Sequence, residues 1–364
     1  MALKISRKLF MEPTKNEWES RGVFNPTVIK KRDIEFLIYR GLSKKYISSL
    51  GYAKIKNDEI IERSREPLLY PTEKYEKKGI EDPRITKIGN TYYMIYVAFD
   101  GVNARVAYAV SKNLKDWKKK GIISPNITIG EARKLVKIKK YRDQWERQEV
   151  IGPKTCLWDK DAVLFPEKIK GKYLLLHRFL PDIQIVKFRR FEDLKDISFW
   201  KDYIINLSEE DKVSLYRRYK WESSHIGAGT TPIKTRYGWL IIYHGAAFKG
   251  KKNLANTVLQ EISDIFHSLR EKRLKLVYSA GAALLDLKRP EIEITRLRKP
   301  LFKPQFKFER EGNVNNVVFP EGAVLEKDTL KIYYGCADKR IGLAKLSFKG
   351  LLEELRRQVS FSSL

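Results

Sequence analysis

The chain has 364 residues, 43% of them hydrophobic, and its 73 Lys and Arg against 45 Asp and Glu give a net charge of +28. Two cysteines, Cys156 and Cys336, exclude a disulfide framework, and no apolar run approaches the roughly 20 residues of a membrane span. The basic residues are spread along the whole chain with no RNA-recognition, zinc-finger or homeodomain pattern, which argues against a nucleic-acid partner despite the charge.

From Met1 to Ser20 there is no apolar stretch of the kind a secretory signal needs, so a cytoplasmic protein is expected. One pattern then recurs along the chain: a short apolar strand, a turn, and a strand rich in Tyr, Leu and Ile. The first copy is Asn25-Pro26-Thr27-Val28, a turn at Lys31 to Asp33, then Phe36 to Arg40. The second is Asp82-Pro83-Arg84-Ile85, the turn Gly89-Asn90, then Tyr92 to Tyr96. The third is Asp161-Ala162-Val163-Leu164, the turn Lys170-Gly171, then Tyr173 to Arg178. The fourth runs from Thr231-Pro232-Ile233 through Tyr237-Gly238 to Trp239 and His244. The fifth is Gly322-Ala323-Val324-Leu325, a turn at Lys327-Asp328, then Leu330 to Gly335. A third strand follows several copies, at Arg105 to Val110, Ile183 to Phe188, Ala282 to Leu287 and Ile341 to Leu346. Strand sets repeated five times predict an all-β, five-bladed β-propeller, a single domain over 1–364.

Two segments interrupt the rhythm, at about 127–157 and 246–277. In the second, Leu254, Val258, Ile262, Ile265, Phe266 and Leu269 fall on one helical face. Both are read as inserted, partly helical pieces packed on the flank. A lid is the functional alternative, or a contact between copies in a homo-oligomer.

The innermost strand of a propeller blade lines the central channel. Asn25, Asp82 and Asp161 occupy equivalent positions there, and the ends of the second strands add Arg40, Arg178 and His244. A ring of such groups suits a polar ligand such as a sugar. Most glycoside hydrolases use two carboxyl groups. Here one acid, Asp82, stands out beside Lys160, Arg178, His225 and His244. Arg and Lys bind phosphate, which is already a nucleophile at neutral pH and needs no carboxylate base.

At these residues the sequence resembles glycoside hydrolase family 130, the β-mannoside phosphorylases and related mannosidases. The segments are Glu81 to Ile85, Lys160 to Lys168, His177-Arg178, Ile226 to Gly229, Tyr243 to Gly245, Gly281 to Asp286, Asn316 to Pro320, and Tyr333 to Gly335 with Asp338. They run in order from about residue 24 to 345. The resemblance implies an inverting mechanism with Asp82 as general acid, acting through the 3-hydroxyl of the mannose, while phosphate attacks the opposite face to give α-mannose 1-phosphate. It places Asn25, Arg40 and Asp338 at the mannose; Arg84, Asp161 and Asp182 are assigned with them to the sugar. Lys160, Arg178, His225, His244 and Tyr278 are implied to hold phosphate.

Two positions depart from the family pattern: His225 stands where many members have Lys, and Lys160 where Arg is common. Members that use water have lost basic residues here and gained carboxylates. Glu222, just before His225, therefore keeps an inverting β-mannosidase open as the alternative. A non-catalytic sugar- or nucleic-acid-binding propeller is the third reading, supported by the charge alone. The expected partners are a manno-oligosaccharide, β-1,2- or β-1,4-linked, and inorganic phosphate as co-substrate. No cofactor is expected, and no metal: the four His are scattered, with no His-x3-His or Cys-x2-Cys pattern.

Overall fold

Apolar residues alternating with polar ones, broken by Gly, Asn and Asp turns, draw the chain into antiparallel meanders. The computed structural model describes residues 3–152, 154–208, 210–248 and 276–360. After β1 (Ile5–Met11) comes a first meander of β2 (Gly22–Lys31), β3 (Ile34–Leu42), β4 (Ser48–Lys56) and β5 (Glu59–Arg63). The second is β6 (Gly79–Ile88), β7 (Thr91–Phe99), β8 (Ala104–Ser111) and β9 (Lys118–Ile122); a parallel bridge from Ser48 to Gly79 joins these two into one sheet. The third is β10 (Lys160–Leu164), β11 (Tyr173–Arg178), β12 (Ile183–Phe188) and β13 (Val213–Leu215). In the fourth, β14 (His225–Ala228) and β15 (Ile233–Thr235) both pair with β16 (Gly238–Phe248), followed by β17 (Leu276–Leu285) and β18 (Glu293–Arg296). The last is β19 (Val318–Glu326), β20 (Thr329–Cys336) and β21 (Arg340–Ser347), completed on its outer edge by β1. The first strands touch in succession: β2 packs on β6, β6 on β10, β10 on β14, and β19 on β16 and back on β2.

The segment 127–157 is helical in part, as the sequence suggests. It forms α1 (Ile129–Leu135), capped by Thr128 and Glu131, and α2 (Lys139–Gln148). Together with α3 (Ile197–Ile205) these pack on the third meander through Tyr141, Trp145, Trp200 and Tyr203. The other expected insertion starts and ends in strand, since Ala247 pairs with Val277 and Phe248 with Leu276. Its helical face from Leu254 to Leu269 lies outside the described residues. Two further helices, α4 (Lys307–Arg310) and α5 (Phe348–Ser360), flank the last meander, and no described helix is long and apolar enough to cross a membrane.

A buried carboxylate ties each of four meanders together. A short turn before the first strand carries an aromatic residue followed by Glu: Trp18-Glu19, Tyr75-Glu76, Trp221-Glu222 and Phe308-Glu309. Each Glu is fully buried and accepts a hydrogen bond from a Tyr hydroxyl of the second strand. The pairs are Tyr39 to Glu19 (2.8 Å), Tyr96 to Glu76 (2.8 Å), Tyr243 to Glu222 (2.6 Å) and Tyr334 to Glu309 (2.8 Å). The outermost strand supplies the cation: Arg63, Lys119, Arg296 and Arg7 respectively. Each clamp therefore pins the entry turn to the middle and the edge of its sheet. In the third meander His177 takes the Tyr position, between Asp159 (2.9 Å) and Tyr203 (3.1 Å). In the first and fourth meanders the Trp lies over two glycines, and a Cβ at Gly41, Gly51, Gly245 or Gly281 would collide with the indole.

A buried carboxylate that loses a partner keeps its desolvation cost. Tyr243→Phe is therefore expected to lower the unfolding free energy by about 1–3 kcal/mol in urea titrations. An unchanged unfolding midpoint would remove the clamp from the account of stability.

Candidate active site

The first strands do not run true. Their pairing slips between Phe24 and Thr27 in β2, between Glu81 and Arg84 in β6, and between Lys160 and Val163 in β10. At these bulges Asn25, Asp82 and Asp161 adopt left-handed backbone, with φ of 47°, 50° and 53°. Asn and Asp tolerate that region better than other side-chain-bearing residues. A bulge bends the strand and re-aims its side chain. At the ends of the second strands, Arg40, Arg178 and His244 each follow directly on a clamp residue: Tyr39, His177 and Tyr243. Strand alternation sends the clamp residue into the meander and its neighbour to the opposite face.

These groups meet in a cavity of about 180 Å³. Asn25, Arg40, Asp82, Lys160, Asp161, Arg178, His225, His244, Tyr278 and Asp338 all line it, as the sequence reading requires. So do Phe24, Glu81, Trp158, Asn313 and Phe319, which that reading did not assign to the site.

The cavity is divided by charge. On one side Asp82 Oδ1 lies 3.3 Å from Arg40 Nη1, Arg40 Nη2 pairs with Glu81, and Arg40 Nε donates to Ser48 Oγ at 2.8 Å. Asp338 joins this side from the turn between β20 and β21, adding to the negative field around Arg40. On the other side Arg178 binds Asp161 through Nε, beside Lys160. His244 Nε2 is 3.7 Å from Asp161 Oδ2, and its ring stacks on Phe319 with centroids 4.0 Å apart. His225 lies with its ring centre 5.6 Å from that of Tyr278, its Nδ1 3.0 Å from Ser224 Oγ. Gly227 of the Ile226–Gly229 segment must be glycine, because a Cβ there would collide with both Asp161 and His244.

Burial raises the Asp161 carboxyl, but the surrounding cations, Arg178 foremost, outweigh it and hold the group well below the usual carboxylate range. Asp161 is thus an ionised, weakly basic anchor. Burial pulls His244 down to about 3; Asp161 opposes this and the Arg178 charge adds to it. Burial and the same guanidinium push His225 well below the ordinary histidine value. Both imidazoles are neutral at pH 7, and each can offer one N–H. Neither ring nitrogen of His244 has a hydrogen-bond partner among the described residues.

Two residues assigned to the sugar lie elsewhere. Arg84 is 1% exposed and sits beneath the cavity. It donates to the carbonyl oxygens of Asp82 (3.1 Å), Ala228 (3.1 Å) and Gly229 (3.0 Å), which ties the bulge of β6 to the fourth meander. Asp182 is fully buried against α2. Its carboxylate takes the Tyr141 hydroxyl at 3.0 Å, the Arg217 amide at 3.0 Å and the Lys140 ammonium at 2.6 Å. This brace holds the 179–182 turn, whose Leu180 lines the cavity. Glu222, the candidate base for water, is the clamp of the fourth meander. Its oxygens are taken by Tyr243, Arg296 and the amides of Arg218 and Tyr219, and it does not reach the cavity.

One buried acid escaped the sequence reading. Glu321 sits at the break in β19 between Pro320 and Gly322, one position after Pro320, which the strand pairing aligns with Asn25, Asp82 and Asp161. Aligning the fifth copy from Gly322 starts it two residues late, beyond both Pro320 and Glu321. Among the described residues no group of three His, Cys, Asp or Glu is placed to hold a metal.

A carboxyl group, Asp82, set with Arg40, Glu81 and Asp338 across from Lys160, Arg178 and two neutral imidazoles, on a frame of bulged β-strands, is the site of a glycoside-active enzyme. The chain belongs to glycoside hydrolase family 130: the model of that family, described as beta-1,4-mannooligosaccharide phosphorylase, matches residues 6–357. The chain is 34% identical over 357 residues to the 1,2-beta-oligomannan phosphorylase of Thermoanaerobacter sp. (strain X514), covering 95% of this chain and 96% of that one. It is 34% identical over 358 residues to the beta-1,2-mannobiose phosphorylase of the same organism, covering 94% and 95%. Its fold matches the beta-1,2-mannobiose phosphorylase from Listeria innocua in complex with beta-1,2-mannobiose, with a TM-score of 0.69 at 25% identity over 97% of this chain and 99% of that one.

The neutral imidazoles fix a sign for the dependence of stability on pH. Below the ordinary histidine value near 6.5 the unfolded chain takes up a proton at His244 that the folded chain refuses until about 3. Stability is therefore complete above that window and falls as pH drops through it. His244→Gln is expected to flatten this fall by up to about 1.4 kcal/mol per pH unit, read from urea unfolding between pH 7 and 4. A slope equal to wild type would mean that His244 is already charged in the folded protein.

Proposed function

We propose that this protein cleaves β-mannosides with inorganic phosphate, inverting the anomeric centre to release α-mannose 1-phosphate and a shortened sugar. The observation that carries this reading is the division of the cavity. Asp82 faces a cation and imidazole cluster in which the nearest carboxylate, Asp161, is already engaged by Arg178. Such a wall attracts a phosphate and offers water no effective base, since Asp161 is weakly basic and Glu222 is locked in its clamp.

In this mechanism Asp82 delivers a proton towards the departing glycosidic oxygen, by way of the mannose 3-hydroxyl, while Arg40 orients its carboxyl group. Phosphate, held by Lys160, Arg178 and an N–H from each of His225 and His244, attacks from the opposite face. Neutral histidines bind the anion by hydrogen bonding alone, leaving the charge to Lys160 and Arg178. Asn25 and Asp338 hold the mannose ring. A β-1,2 linkage is the preferred substrate, supported by the two relatives that align over almost their full length.

The reading extends to the architecture. The five meanders are the blades of one propeller domain, and the cavity opens into its centre; the succession of contacts from β2 through β6, β10, β14 and β16 to β19 and back to β2 supports this. The buried, unpaired thiols of Cys156 and Cys336 suit the reducing cytoplasm.

Incubation with β-1,2-mannobiose, with and without phosphate, is expected to give mannose 1-phosphate only when phosphate is present; free mannose released at the same rate without phosphate would refute the proposal. Asp82→Asn should keep the fold and lose about 10²- to 10⁴-fold in kcat. Lys160→Met should raise the KM for phosphate and leave that for the sugar near its original value.

A further inference from the structure

The buried acid at the fifth bulge has no role in the mechanism above, yet it lies at the heart of the site. Glu321 is 1% exposed, does not line the cavity, and neither carboxyl oxygen makes a hydrogen bond among the described residues. Arg84 Nη2 is 2.9 Å from Oε1, but the same nitrogen also lies 3.5 Å from Asp161 Oδ1 and donates to the Ala228 carbonyl. One guanidinium is thus shared between two acids.

The charges around it do not balance. Glu81, Asp82, Asp161 and Glu321 place four carboxyl groups against the guanidinium groups of Arg40, Arg84 and Arg178; Asp338 and Lys160 add one of each sign. The groups facing Glu321 are Asp82 and Arg84 from β6, Asp161 from β10, Arg40 from β3 and the Asn25 amide from β2. Burial, with Asp82 and Asp161 adding to it, pushes the Glu321 carboxyl well above the usual range against the opposing pull of Arg84 and of the Asn25 amide.

A second polar atom is stranded beside it. Asn25 Oδ1 is buried without a partner, and the Asn25 side chain is within hydrogen-bonding reach of the Glu321 carboxyl. The two ends of an amide are told apart only by their partners. A neutral carboxyl group carries one O–H, the donor that Asn25 Oδ1 lacks.

We propose that Glu321 is a positioning residue for the sugar site: as a neutral carboxylic acid it donates to Asn25 Oδ1 and so turns the Asn25 NH2 towards the cavity as a hydrogen-bond donor. An ionised Glu321 would attract the NH2 instead and leave the sugar facing an acceptor. Its proton also keeps another negative charge away from Asp82. This rests on the placement of Asn25 at the mannose in the preceding section.

The test is binding of β-1,2-mannobiose to the full chain without phosphate, by calorimetry, alongside phosphorolysis kinetics. E321A is expected to weaken mannobiose binding by about tenfold or more, the worth of one well-made hydrogen bond, with the KM for phosphate unchanged. E321Q, neutral and able to donate, should restore affinity to within about threefold of wild type. The infrared spectrum of wild type minus E321Q should show the carbonyl band of a protonated carboxyl group. Carboxylate bands in that difference, or E321Q binding mannobiose tenfold or more weakly than wild type, would overturn the proposal even if E321A fails to fold. Wild-type protein that binds mannobiose but gives no mannose 1-phosphate would refute phosphorolysis and leave the Glu321 comparison standing; no mannobiose binding at all would overturn both.

Discussion

A carboxylate cannot be taken out of water alone, and this constraint organises the molecule. Glu19, Glu76, Glu222 and Glu309 are each buried completely, so each must find donors for both oxygens. The chain meets the demand in the same way every time, with a phenol from the second strand and a cation from the outermost. For Glu222 and Glu309, amides of the entry turn supply the rest. Ion pairs of this sort add little net stability compared with apolar packing, but they tolerate few alternative arrangements. They fix the rotation of the second strand, and the residue after the phenol is then obliged to face away from it. Arg40 and His244 reach the cavity for that reason.

The same logic, inverted, describes the cavity. The clamps satisfy their acids; the bulges leave theirs partly unsatisfied. Arg84 is the hinge between the two regimes, since it closes carbonyl groups of the second and fourth meanders while facing Asp161 and Glu321. An interior with this much unsatisfied polarity is unfavourable for folding and useful for binding: orphaned groups such as the His244 nitrogens are where a polar ligand recovers hydrogen bonds that the protein forgoes.

Much of this was legible in the sequence because the repeat carries both the strand pattern and the exceptions to it. Asn25, Asp82 and Asp161 stand out as polar residues at inner-strand positions, and the structure gives the reason in their bulges. Arg178 and His244 follow from the same alignment. Arg84 and Asp182 do not line the cavity, which the sequence does not reveal because an exposed and a buried partner look alike in one dimension. Asp182 meets α2, some 40 residues earlier in the chain, and no local pattern announces that contact. Glu222 looked like a spare carboxylate near His225. Comparing Trp18-Glu19, Tyr75-Glu76, Trp221-Glu222 and Phe308-Glu309 would have shown it to be a repeated structural element. Glu321 was lost because the fifth copy was aligned from Gly322, past the bulge, and carries Pro320 where the others have Asn or Asp.

The pairing of β1 with β21 has a bearing on how the chain is made. Arg7 of β1 reaches Glu309 across 302 positions, and the last meander lacks both its edge strand and its clamp cation until the two ends meet. At ribosomal speeds of about 5–20 residues per second, β1 emerges roughly 20–70 s before its partner. Throughout that interval it is an unpaired strand, and its exposed ladder invites pairing with other nascent chains. Its composition answers the hazard: Arg7 and Lys8 sit in the middle of Ile5–Met11, and charge of one sign on a waiting edge discourages two copies from zipping together.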